Sequence, residues 1–184
     1  MRSRYRTLES AWAQTTEFFD KSAIIKEGEL LKEHGDHAGG VYRYKNDIWK
    51  TFDEKKLYEN EKKCYEDIKD RDIIPEVETD DENMIIRMSD VGESIQKHNT
   101  PSDFTSQCKR INRSLADADI YHNDMHNGNI RVNKDGKVRV IDFDLATRSD
   151  PLDNGANDCC NFWYKHPHHE TTENKLGDTP TRSD

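Results

Sequence analysis

The sequence predicts an α+β fold, with a small antiparallel sheet in the first half and a shorter, mostly helical second half, across 184 residues. Three observations predict it. Between residues 24 and 52, apolar–polar runs are broken twice by turn-forming residues, as three consecutive strands would be. Charged segments with apolar residues at helical spacing cover 53–70 and 104–118. Two short alternating runs, Ile130-Arg131-Val132 and Val138-Arg139-Val140-Ile141, flank Asn133-Lys134-Asp135-Gly136, which holds the hairpin dipeptide Asp-Gly.

Composition bounds the rest. Charged residues make up 35% and hydrophobic residues 32%. That suits one domain with a small core in two lobes, and leaves part of the chain reading as disordered. A net charge of −9 argues against general nucleic-acid binding and against docking on anionic membranes. No run approaches the roughly 18 apolar residues of a membrane span. Met1 to Arg6 has no apolar run after it, so no signal peptide is read. Cys64, Cys108, Cys159 and Cys160 make no C-x-x-C pair, and adjacent Cys159-Cys160 is a poor start for a structural disulfide. They read as buried or free thiols of a reducing compartment, so a cytoplasmic monomer is expected.

The elements follow in order. Residues 1–22 read as a helical extension, with Leu8, Ala11, Trp12, Thr15 and Phe19 at helical spacing, either packed on the sheet or docking a partner. The folded domain is expected at 23–165, its smaller lobe at 23–88 and its larger at 89–165. Ile24 to Lys32 reads as the first strand, Val41 to Tyr44 as the second and Ile48 to Phe52 as the third. Gly35, Gly39 and Gly40 punctuate the first turn. They suit an ordinary hairpin or a loop whose N–H groups approach an anion. Lys50 lies among Ile48, Trp49 and Phe52, and a lysine on an apolar face needs a partner or must face solvent from an edge. Asp53 to Asp70 reads as a helix with Leu57, Cys64 and Ile68 on its apolar side, and offers Glu61 and Glu59 as partners for Lys50. Ile73-Ile74-Pro75 reads as the start of the fourth strand and Asn83 to Met88 as the fifth. Phe104 to Ala118 reads as a helix striped by Phe104, Cys108, Ile111 and Leu115. Ala156 to Lys165 reads as a last helix, anchored by Phe162, Trp163 and Tyr164, and 166–184 as a polar, disordered tail.

Tyr121 to Ala146 concentrates the chemistry. His122, Asp124, His126 and Asn129 precede the hairpin, and Asp142 and Asp144 follow it, so one turn brings Asp124, Asn129 and Asp142 together. A carboxylate base beside an Asn/Asp pair suits a magnesium–nucleotide site. His122, Asp124, His126 and Asp142 alternatively suit a metal-hydrolase cluster.

This ordered set resembles the catalytic centre of the protein-kinase-like superfamily. His122-Asn123-Asp124 stands where that family carries H-R-D, Asn129 at its catalytic-loop spacing, and Asp142-Phe143-Asp144 at D-F-G. The finer pattern H-x-D-x-H-x-x-N is closer to aminoglycoside and choline phosphotransferases and to other atypical kinases. The resemblance implies a minimal kinase-like fold, ATP and Mg2+ as cofactors, and roles for each residue. Asp124 is then the base, with His122 bracing its loop and His126 beside it. Lys50 holds the phosphates and Glu61, more than Glu59, holds Lys50. Asn129, Asp142 and Asp144 are the metal ligands. Gly35, Gly39, Gly40, Ile86, Arg87 and Met88 line the nucleotide site, and Asp158 braces the catalytic loop. The implied acceptor is a serine or threonine hydroxyl of a protein, with a protein substrate or regulatory partner. A small-molecule kinase and a nucleotide-binding pseudokinase module are the alternatives. Asn123 replaces the arginine that grips a phosphorylated activation loop in many kinases, so activity without loop phosphorylation is expected.

Overall fold

The computed structural model describes residues 19–32 and 39–161. Gly35, residues 1–18 of the extension, Phe162 to Tyr164 and the tail therefore lie outside the described residues.

Helix α1, Lys21–Glu27, opens the fold. Its residues Ile24 and Ile25 were expected in a strand, and their β-branched side chains favour one. Local capping overrides that preference. The Asp20 carboxylate accepts from the backbone N–H groups of Ser22 and Ala23, and the Gly28 N–H donates to the Ile24 carbonyl at the other end. The expected boundary at residue 22 thus falls inside a helix.

Strands β1 (Glu29–Lys32), β2 (Gly40–Tyr44), β3 (Asp47–Thr51), β4 (Val77–Asp80) and β5 (Ile85–Ser89) form an antiparallel sheet in the order β1-β2-β3-β5-β4. Alternation divides its faces. Tyr42, Trp49 and Ile85 pack with Ile24 of α1 on one face. Ile86 and Met88 join the main core on the other. Ile73 and Ile74 do not start β4, which begins two residues after Pro75. Both are buried, and the Ile73 carbonyl instead accepts the Val140 N–H from the second sheet.

Helix α2 (Lys55–Ile68) buries Tyr58, Glu61, Cys64, Tyr65 and Ile68. Helix α3 (Phe104–Ala116) buries Cys108, Ile111 and Leu115, its three expected stripe positions past Phe104. Strands β6 (Glu93–Ser94), β7 (Ile130–Val132) and β8 (Val138–Val140) make a second antiparallel sheet with β7 central. Ile130 faces Val140 and Val132 faces Val138, all four buried. The turn works as its residues suggest: Asn133 Oδ1 accepts from the N–H groups of Asp135 and Lys137, and Gly136 takes φ +75°.

The chain between β8 and Asn161 is irregular until a single 3₁₀ turn, Cys159–Asn161. Ala156 to Asp158 are not helical as expected. The Ala156 N–H donates to the Asn123 carbonyl and its own carbonyl accepts from the Met125 N–H, so both groups are committed to the Asn123–Met125 segment. The described residues therefore form an α+β fold with antiparallel sheets, in which no helix is long and apolar enough to cross a membrane.

Candidate active site

Lys50 sits in the middle of the larger sheet, opposite Val41 on β2 and Ile86 on β5. A central strand and α2 cover it, leaving its side chain 3% exposed, so it is not an edge lysine facing solvent. Glu61 lies on the same helix face as Tyr58, Cys64 and Tyr65, three or four residues away, and is carried inward with them. Its Oε2 is 2.7 Å from Lys50 Nζ. Glu59 is exposed and pairs with Lys55 along the helix.

The loop after β8 brings two more carboxylates to the same ammonium. Asp142 Oδ1 lies 2.5 Å from Lys50 Nζ and Asp144 Oδ2 3.3 Å from it. Asp142 adopts φ +72°, a left-handed conformation unfavourable for a residue with a side chain. Two contacts hold the loop in place. The Asp142 N–H donates to Tyr65 Oη at 3.2 Å. Asn60 Nδ2 faces the carbonyls of Phe143, Asp144 and Ala146 at 3.3, 3.0 and 2.9 Å. Asn60→Ala should therefore lower stability by about 1–3 kcal/mol. It should also raise amide exchange across 142–147, with the hairpin protected as before. Urea denaturation and exchange mass spectrometry check both, and an unchanged midpoint would show that these contacts carry no weight.

Lys50 faces three carboxylates, with the more exposed Lys32 3.9 Å from Asp142 Oδ2, and the balance is written in their titration. Burial works to lower the Lys50 pKa, but Asp142, Glu61 and Asp144 outweigh it and hold the ammonium firmly protonated. Burial pushes Glu61 up to about 7, against the pull of Lys50 and helped by Asp142 and Asp144. Burial raises Asp144 too, with Asp142 adding repulsion. Glu61 Oε1 is buried and has no hydrogen-bond partner among the described residues. Oxygens of Glu61, Asp142 and Asp144 lie within 4.8 Å of one another, so Glu61 joins the two aspartates in a cation-attracting group that had been expected to contain Asn129.

Asn129 is bound elsewhere. Its Nδ2 donates to both the backbone carbonyl and Oδ2 of Asp124, each at 3.0 Å. His126 Nε2 lies 3.4 Å from the same Oδ2, and its Nδ1 accepts the Gly128 N–H. Burial pushes the Asp124 carboxyl up, but His126 pulls harder and leaves it below the ordinary range. His122 is fully buried against Phe143, at 4.7 Å between ring centroids. Its Nδ1 accepts the Asp124 N–H, so Nε2 carries the proton and donates to the Ile141 carbonyl at 3.0 Å. Burial keeps this ring neutral by lowering its pKa. His122 thus ties Asp124 to the end of β8.

A cavity of about 620 Å³ opens between the two sheets. Val41, Ile48 and Met88 are among its apolar lining residues, and Lys50, Asp142, Asn129 and His126 among its polar ones. Asp124 stands behind His126 and Asn129, one hydrogen bond from the lining. Four expected residues are placed otherwise. Ile86 is fully buried beneath the wall in the core. Arg87 points to the opposite sheet face, over Trp49, with Asp47 and Glu78 as partners. Gly39 and Gly40 lie in the β2–β3 ladder, and the Gly39 N–H donates to the Thr51 carbonyl, so it is not turned toward an anion. Arg131, unforeseen, lines the cavity while donating to the Gly92 carbonyl and Ser94 Oγ.

The loop brace also differs from expectation. Asp158 accepts from Asn112 Nδ2 of α3 and from the Cys160 N–H, away from the Asp124 loop. Asn157 takes the bracing part, its Oδ1 accepting the Asn123 N–H at 2.7 Å. The Asn123 side chain completes the clip. Its Nδ2 donates to the Leu145 carbonyl and Thr147 Oγ1, and its Oδ1 accepts from Leu152 N–H and Asn157 Nδ2. Asn60 and Asn157 stand in polar stretches with no period, so no pattern singles them out. No family model matches the chain, and no curated protein matches it.

Proposed function

We propose that the chain is an ATP-dependent phosphotransferase of kinase-like architecture, acting on a serine or threonine hydroxyl of a protein. One observation carries this: a buried Lys50 joins Glu61 of α2 to Asp142 beyond β8 in the lining of a cavity between two sheets. Residues far apart in sequence converge there on one ammonium. Such convergence suits a site whose work is to position and neutralise a polyphosphate.

The donor set fits Mg2+, because Asp142 and Asp144 offer hard carboxylate oxygens beside an orphaned oxygen of Glu61. Asp142 and Asp144 would hold the ion. Bound there, Mg2+ supplies charge neutralisation for phosphate oxygens. Lys50 adds a fixed positive charge, and Glu61 sets its direction. Asp124, kept ionised by His126, orients the acceptor hydroxyl and accepts its proton. Asn129 fixes the Asp124 rotamer, and His122 fixes its backbone. Asn123 clips residues 145–157 with neutral hydrogen bonds, where a phosphate grip would need an arginine. This supports activity without phosphorylation of that segment.

The surroundings of the site support a protein acceptor. Among the described residues, only one 3₁₀ turn follows Asp144, with no helical subdomain to enclose a small acceptor. A protein side chain reaching the open cavity is the better fit.

Incubation with Mg2+ and ATP labelled at the γ or the α position, wild type against Asp124→Asn, tests the proposal. Label should move to protein from the γ position alone. The variant should lose about 10²–10⁴-fold in rate while nucleotide affinity stays within a few-fold. Transfer from the α position would replace phosphorylation with nucleotidyl transfer. Binding without transfer would make the chain a nucleotide-dependent interaction module. Absence of nucleotide binding would end both readings.

A further inference from the structure

We propose that Cys108 and Cys159 are a disulfide-forming pair that locks the brace of the catalytic segment onto α3. Their Sγ atoms are 2.8 Å apart, and both residues are fully buried. A disulfide bond is about 2.05 Å long, so closure needs a movement of about 0.8 Å.

The backbone on both sides is already docked for it. One turn along α3 from Cys108, Asn112 Oδ1 accepts the Cys159 N–H at 3.0 Å, and Asn112 Nδ2 donates to Asp158 Oδ1 at 2.6 Å. The Cys108 thiol donates to the Cys159 carbonyl at 3.2 Å. Disulfides fail to stabilise when they must distort the fold that receives them. Here three polar contacts hold the two segments in place without the bond. The neighbouring Cys160 is only half-buried, and Cys64 lies against Arg148 of a different segment. Cys160 also interacts with Cys108, so the pair is selected by the 2.8 Å approach of the Cys108 and Cys159 sulfurs.

The bond would close a loop running from α3 through the whole catalytic hairpin to Cys159. Within it lie Asn123 and Asn157, whose mutual hydrogen bonds hold the Asp124 loop. Asn157 is two residues from Cys159, so tethering Cys159 tethers the brace. In the folded state, the Cys159 contact and then burial raise the Cys108 pKa, and a thiol so placed reacts slowly with external reagents. The bond accordingly forms as the chain folds in an oxidising medium and resists reduction afterwards.

A small disulfide such as oxidised glutathione is the oxidant. One cysteine thiolate attacks it, its S–S bond breaks, and one glutathione thiolate leaves. The second cysteine gives up its proton and attacks the mixed disulfide, releasing the second glutathione. Two protein thiols become one disulfide, and one glutathione disulfide becomes two thiols.

The full chain, refolded across a graded series of oxidised-to-reduced glutathione ratios and then alkylated in denaturant, tests the pair. Non-reducing peptide mapping should yield a Cys108–Cys159 linked peptide, lighter by two hydrogens, with Cys64 and Cys160 alkylated. The melting temperature of the oxidised chain should exceed that of the reduced chain by roughly 5–15 °C. Cys64→Ser should keep the rise and Cys108→Ser should abolish it. Wild type oxidised against wild type reduced carries the test should Cys108→Ser fail to fold. No linked peptide at any ratio, a link through Cys160 instead, or an equal rise in Cys108→Ser overturns the proposal.

Discussion

Replacing Lys50 by Met is expected to cost about 3–5 kcal/mol of stability at pH 8. The variant is also expected to abolish measurable phosphoryl transfer. Met fills much of the same volume, so the loss is electrostatic. Glu61 is fully buried and keeps one oxygen without a hydrogen-bond partner among the described residues even in the wild type. Without Lys50, the charged groups left beside it are Asp142 and Asp144, both of its own sign. The cost must then depend on pH, and the sign can be worked out. Glu61 already titrates near 7 when folded, against about 4.3 for an unperturbed glutamate. The folded chain therefore binds more protons than the unfolded chain between those values. Stability from this group is full below the unfolded value and is lost as pH rises through the folded one. Removing Lys50 raises the folded value further, so the deficit should be large at pH 8 and shrink by pH 5.5.

The second member of the cycle separates stability from chemistry. Lys50→Met with Glu61→Leu removes both ends of the buried pair. It should recover most of the lost stability, because an apolar pair needs no compensation in the core. It should recover no transfer, because nothing then places the phosphates. Urea denaturation of wild type, Lys50→Met, Glu61→Leu and the double variant at pH 5.5 and pH 8, beside the labelled-ATP assay, reads both effects. A single variant as stable as wild type at pH 8 would show that Lys50 and Glu61 are not paired in the buried site described.

How far the sequence could carry these statements depended on which signals repeat. Helices α2 and α3 were legible because Leu57, Cys64 and Ile68, and Cys108, Ile111 and Leu115, recur at helical spacing. The hairpin was legible because Asp-Gly splits two alternating runs. Lys50 stood out as a charge in an apolar strand, and Glu61 as an acid one turn from Leu57 and Tyr65. Helix α1 was misread because Ile24-Ile25 weighs toward a strand, while its deciding signals are single residues, Asp20 and Gly28. Depth was not legible at all. Ile86 and Met88 share a strand face, yet only Met88 reaches the cavity, because packing from α2 and the core covers the other. The same limit hid the brace. Asn157 and Asp158 are adjacent polar residues, and only the path of the chain past Asn123 sends one to the Asp124 loop and the other to α3.

That convergence sets up the sharpest contrast, in a variant that should lose chemistry without losing structure. Asp142→Asn is expected to lower phosphoryl transfer about 10²–10³-fold. Its stability should stay within about 1 kcal/mol of wild type. Asp142 bonds Lys50 at 2.5 Å, and that contact alone would predict a loss on neutralisation. Its charge also repels Glu61 and Asp144, raising the pKa of each. Asn keeps an oxygen for Lys50 and removes the repulsion. Lys50 retains Glu61 and Asp144, and the formal charge of the four-residue group falls from −2 to −1. The two effects oppose each other on stability, and both fall on the same side for function. An amide is a weaker ligand for Mg2+ than a carboxylate and cannot carry charge to the phosphates. In the wild type, added Mg2+ should compete with protons for the carboxylates and raise the melting temperature, more at pH 8 than at pH 5.5. In Asp142→Asn that rise should largely vanish, though the metal-free melting temperature is unchanged. Thermal melts with and without Mg2+ at both pH values decide it. A metal-dependent rise equal in the two proteins would remove Asp142 from the metal site, and with it the strongest reason to place the γ-phosphate beside Lys50.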